Sequence, residues 1–95
     1  MIPDVVSVEP TAAYRIRLTF DDGTVGEVDV AALVRFVGVF EPLHDPAEFR
    51  KVHVDAESGT VAWPNGADLD PLVLYAKAKG MEVDELLAAK SSPAR

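Results

Sequence analysis

The chain contains no cysteine, which excludes a disulfide framework, a thiolate nucleophile and a cysteine-based zinc site together. Histidine is almost as scarce. Only His44 and His53 occur, and no Gly-x-Ser-x-Gly elbow accompanies either. The serines, Ser7, Ser58, Ser91 and Ser92, fall in strand, turn or tail positions, so no nucleophile with its base and orienting acid is legible. A glycine-rich phosphate cradle is missing too, because Asn65-Gly66-Ala67 supplies one glycine where several are needed. No apolar run approaches the roughly 20 residues that cross a bilayer. The start, Met1-Ile2-Pro3-Asp4, has no basic region leading into an apolar one. The resulting expectation is a cytoplasmic protein with no membrane contact, no cofactor and no metal, and not an enzyme.

What is present is acidic charge. The formal net charge is −7, and it is unevenly spread. Residues 1–70 hold five basic and thirteen acidic side chains, a net of −8, whereas residues 71–95 hold four and three, a net of +1. Such a field repels phosphate backbones and disfavours direct nucleic-acid binding, while it suits a basic protein partner. Ninety-five residues give one core and no second domain, and a core of that size is marginal. Pairing of two copies through an edge strand or an apolar face is one route to added stability, so a homodimer is compatible with the sequence.

Periodicity in the first half is that of strands. Val5, Val6 and Val8 form a β-branched run closed by Glu9-Pro10. Tyr14, Ile16, Leu18 and Phe20 then alternate with Arg15, Arg17 and Thr19, the pattern of a strand with one buried face. Asp21-Asp22-Gly23-Thr24 is a tight turn, and Val25 to Val30 returns with Val28 and Val30 on one face. Ala31 to Phe36 is compatible with a short helix capped near Asp29 and broken at Gly38. Phe40-Glu41-Pro42-Leu43 reads as extended, and Asp45-Pro46 opens a single helical turn ending at Phe49. A second hairpin follows, Val52 and Val54 against Thr60-Val61-Ala62-Trp63, turning at Glu57-Ser58-Gly59. Asp70-Pro71 starts an apolar helix, Leu72 to Ala78, that should cover a sheet face and end at Gly80.

The fold class expected is therefore α+β: a small antiparallel sheet of two hairpins plus an N-terminal strand, covered by a C-terminal helix and short helical turns. Residues 1–80 form the single domain. Residues 81–95 form a short helix, Glu85 to Lys90 capped by Asp84, and a frayed tail.

One loop carries the candidate site, Pro64-Asn65-Gly66-Ala67-Asp68-Leu69-Asp70 beside the single tryptophan. Asn65, Asp68 and Asp70 lack the calcium-loop pattern with its terminal glutamate, and turn or cap duty accounts for them. Trp63 shares a face with Val61, which places it in the core, whereas an exposed indole beside a rigid loop would be an interface anchor. Leu74 to Leu87, helix, glycine and capped helix, faintly matches the later part of a helix-turn-helix unit, but the chain is too short to complete one.

Three phrases together resemble a known family. They are Tyr14-x-Ile-x-Leu-x-Phe-Asp-Asp-Gly-Thr-x-Gly-x-Val-Asp-Val30, Phe40-x-Pro-Leu-x-Asp-Pro-x-x-Phe49, and Thr60-Val-Ala-Trp-Pro-Asn-Gly-Ala-Asp-Leu-Asp-Pro71 with Leu74-Tyr75 following. In this order they are similar to the small bacterial family catalogued as domain of unknown function 2442, over about residues 3–76. The resemblance implies a small α+β domain with an antiparallel sheet and without established catalytic residues. It also implies two contexts: longer members ending in a helix-turn-helix domain, and members encoded beside a small protein of domain-of-unknown-function family 4160, similar to toxin–antitoxin pairs. Three functions stay open: an interaction or regulatory module, antitoxin-like, that binds a small protein from an adjacent gene; a ligand-binding or catalytic domain using the Asn65–Asp70 loop; and a structural dimerisation domain.

Overall fold

A computed structural model describes residues 2–81. Three strands, β1 (Val5–Pro10), β2 (Arg15–Phe20) and β3 (Val25–Asp29), form an antiparallel sheet in the order β1-β2-β3. A one-turn helix α1 (Val30–Leu33) follows, then a 3₁₀ segment (Gly38–His44) and a second short helix α2 (Pro46–Phe49). Strands β4 (His53–Asp55) and β5 (Thr60–Ala62) pair as a separate two-stranded sheet, and α3 (Pro71–Ala78) completes the fold. The hairpins are thus two sheets rather than one, joined where the Val5 amide donates to the Gly59 carbonyl at 3.0 Å.

The alternation in β2 does what its period dictates. Ile16, Leu18 and Phe20 are buried, while Arg15 and Arg17 face water. In β1 the alternation is interrupted. Val5 pairs with Phe20 but Ser7 pairs with Thr19, so Val6 is an extra residue in a β-bulge and lies exposed. The β1–β2 connection places Ala13 at φ 49°, a left-handed conformation that a side chain resists.

Asp29 and Asp70 cap the starts of α1 and α3 as the sequence indicates, and Asp45 does the same for α2. Asp29, Asp45 and Asp70 each accept a hydrogen bond from the amide two residues on, at 3.1, 2.9 and 2.9 Å. At the far end of α3 the Gly80 amide bonds the Lys77 carbonyl and the Met81 amide bonds that of Ala76. This is a Schellman closure, with Gly80 at φ 73°.

The expected extended stretch at Phe40–Leu43 is corrected: it is 3₁₀ helix. Proline tolerates helical φ, and the Asp45 amide closes onto the Pro42 carbonyl, so the turn needs no outside strand. The turn drives Leu43 into the core. The helix expected over Glu85 to Lys90 lies outside the described residues.

The core joins the inner face of the first sheet to Leu43, Phe49, Val61, Trp63, Leu74 and Tyr75. Phe20 meets Tyr75 edge-on with centroids 5.0 Å apart, and Tyr14 meets Phe49 likewise at 5.3 Å. Helix α3 lies so close to β3 that a Cβ on Gly26 would fall 2.8 Å from the Ala78 Cα.

Candidate functional site

The four residues singled out in the sequence do not converge. Trp63 is buried and its Nε1–H donates to the Phe49 carbonyl at 2.8 Å, so of its two readings the core one, implied by the face it shares with Val61, holds and the interface anchor does not. An indole needs one acceptor when buried, and α2 supplies it. Asn65 staples two loops, its Nδ2 donating to the Val39 carbonyl at 2.8 Å and its Oδ1 accepting from the Ala67 amide at 3.1 Å. Asp70 is committed to the α3 cap. Asp68 is exposed, and its backbone forms an isolated bridge with Ala62. Three of these side chains build the scaffold, and one faces solvent.

A different place gathers polar and apolar groups. A cleft of about 260 Å³ opens between β3, α1 and α3, lined by Val28, Asp29, Ala32, Leu33 and Lys77, with Arg15 and Glu27 at its side. Arg15 Nε donates to Glu27 Oε1 at 3.0 Å, and Arg17 reaches Glu27 at 3.6 Å and Glu9 at 3.4 Å. The two arginines of the outer sheet face are thereby neutralised by the sheet's own glutamates, in exposed pairs that contribute little to stability. Among the described residues, no group of three or more His, Asp or Glu side chains lies close enough to hold a metal.

The edge of β3 borders this cleft. The Phe20 amide bonds the Thr24 carbonyl and the Val30 amide bonds that of Tyr14. With the register Leu18 to Gly26 and Ile16 to Val28, the even-numbered residues of β3 therefore turn their amides and carbonyls to β2. Those of Val25, Glu27 and Asp29 point the other way. The edge could not be read from sequence, because strand order is a tertiary property; the one local signal was that β3 contains neither proline nor lysine.

A second exposed feature is apolar. Val37 and Val39 stand out from the loop before and within the 3₁₀ segment. This loop is held by Asn65 and by the Tyr14 hydroxyl, which donates to the His44 carbonyl.

Asp22 ties the β2–β3 turn to α3. Its Oδ2 accepts from the Tyr75 hydroxyl at 2.6 Å and its Oδ1 from the Thr24 amide at 2.9 Å. The tyrosine bond, then the backbone bond, pulls its carboxyl down from the ordinary 3.8 to about 2. Lys79 adds to that shift, with Nζ 5.4 Å from the Tyr75 ring centroid.

Comparison with known proteins agrees with this architecture. The family described as "Protein of unknown function (DUF2442)" matches residues 5–80. A crystal structure of a Nitrosomonas europaea protein, provisionally named as DNA-binding, is 25% identical with a TM-score of 0.67. The alignment covers 99% of this chain, which spans 64% of that protein's length. No functionally curated protein matches the chain.

Proposed function

The chain belongs to the DUF2442 family, and we propose that it acts as a non-enzymatic interaction module for a basic protein partner, as the regulatory, antitoxin-like member of a two-gene pair. The observation that carries this reading is the disposition of charge. Arg15 and Arg17, the cations of the open sheet face, are paired with Glu9 and Glu27, while the first seventy residues carry a net of −8. The surplus acid is left to act outward, where it steers and discriminates a cationic partner. The test is co-expression with the product of the adjacent gene, followed by affinity capture at low and at high ionic strength. Retention at low salt that weakens as salt rises supports the reading, and no association at low salt overturns it.

A second reading, DNA binding, is favoured by the name of the Nitrosomonas europaea protein. Charge opposes it, since neutralising phosphates needs unpaired lysine and arginine. A gel mobility shift at low salt with random-sequence duplex discriminates: a shift relieved by salt favours DNA, and free duplex at micromolar protein favours the protein partner.

A further inference from the structure

The two outer edges of the first sheet are treated very differently. Beyond the residues it pairs with β2, strand β1 is protected three times over. It is bulged at Val6, its Val5 amide is already taken by Gly59, and its last residue, Pro10, has no amide to offer. These are devices by which proteins stop a strand from pairing with another chain. Strand β3 carries none of them. Its register with β2 runs unbroken from Val25 to Asp29, and none of its three outward-facing residues is proline or lysine. Among the described residues, the outward amides of Val25, Glu27 and Asp29 and the carbonyls of Val25 and Glu27 take part in no backbone bond, whereas the Asp29 carbonyl stands at the N-cap of α1.

We infer that the β3 edge is the docking surface for an extended basic segment of the partner, which adds to the sheet as a fourth strand. This rests on the interaction-module reading above and specifies its surface. The amides of Val25, Glu27 and Asp29 and the carbonyls of Val25 and Glu27 supply the ladder, which carries affinity without sequence preference. Preference comes from the cleft beside it. Ala32 and Leu33 offer apolar contact to an aliphatic stem, and Asp29 sets a carboxylate at the same opening. A lysine or arginine side chain fits that combination, stem on the apolar wall and head on the acid. One oxygen of Asp29 caps the Ala31 amide, leaving the other to accept. Arg15 and Lys77 also line the opening, Arg15 held by Glu27, so the attraction for a cation comes from Asp29 and from the net −8 of residues 1–70 rather than from the rim as a whole.

Overlapping twelve-residue peptides from the adjacent-gene product, titrated into isotope-labelled full-length chain, test the surface. A peptide that binds should slow amide exchange at Val25, Glu27 and Asp29. The V25P variant removes one outward donor while leaving the β2–β3 ladder intact, and should weaken that peptide about tenfold. The D29N variant retains a capping oxygen but loses the charge, so it should weaken lysine-containing peptides severalfold and leave their alanine-substituted versions unchanged. It also serves as the readout if V25P fails to fold. Binding that leaves all three amides unprotected, or affinity indifferent to both substitutions, overturns the edge while the interaction module stands. No binding by any peptide, with the intact partner still captured, likewise overturns the edge. Failure of the intact partner to bind overturns both.

Discussion

The indole of Trp63 combines two tasks, filling the space against Phe49 and donating to the carbonyl that the end of α2 exposes. Replacing it separates them. Trp63→Phe keeps an aromatic ring but removes one of two donors to the Phe49 carbonyl, the other being the Val52 amide at 3.2 Å, and should cost about 0.5–1.5 kcal/mol for the lost bond. Trp63→Ala adds a cavity and should cost about 3–5 kcal/mol, close to the whole stability of a domain this size. Urea unfolding of the two variants measures both. Asp22 sets the acid side of the stability profile. Because its carboxyl titrates near 2 in the fold and near 3.8 when free, its contribution is complete above about pH 4 and is lost as the pH falls through 2. Asp22→Asn should therefore flatten the loss of stability between pH 4 and 2, read from urea midpoints across that range. An unchanged slope would show that the Tyr75 bond does not form in solution.

At the level of elements, two small residues make opposite demands. Ala13 holds φ 49° in the β1–β2 turn, where a Cβ is strained by about 1 kcal/mol or more. Ala13→Gly relieves that strain, offset in part by the freedom glycine gains when unfolded, and should raise stability by a few tenths to about 1 kcal/mol. Gly26 lies where α3 crosses β3, and its missing Cβ is what allows the approach to Ala78. The obstruction there is backbone, so Gly26→Ala must lift the helix and should cost about 1–3 kcal/mol. Thermal unfolding separates the pair, since 1 kcal/mol moves the midpoint by roughly 4–8 °C in a domain of this length.

On the scale of the whole molecule, charge and the open sheet edge act together. A net charge of −7 on a small body repels itself, and the exposed ion pairs on the outer sheet face are too weak to compensate. Raising salt from about 10 mM to about 150 mM shortens the screening length from roughly 30 to 8 Å. The melting temperature of the free chain should rise over that interval, whereas affinity for a basic partner should fall. Observing both trends in one preparation would tie the acidic surface to association rather than to folding. Light scattering bears on the rival dimerisation role: a monomer at high concentration counts against it.

The sequence by itself determined the parts whose cause is local. The period of Ile16, Leu18 and Phe20, the glycine turn at Gly23, the aspartate caps at Asp29 and Asp70 and the glycine stop at Gly80 each depend on neighbours within a few residues, and each is where the pattern put it. The 3₁₀ turn over Phe40–Leu43 escaped the pattern because proline suits extended and helical φ alike. The candidate loop was half legible. Its turn and cap residues were evident, but the partners of Trp63 and Asn65 lie 14 and 26 residues away. The tertiary structure alone decided which strand became a protected edge and which an open one, and where the cleft formed. Those outcomes follow from the order in which strands meet, and strand order is settled by burial shared between distant segments rather than by the residues of any one of them.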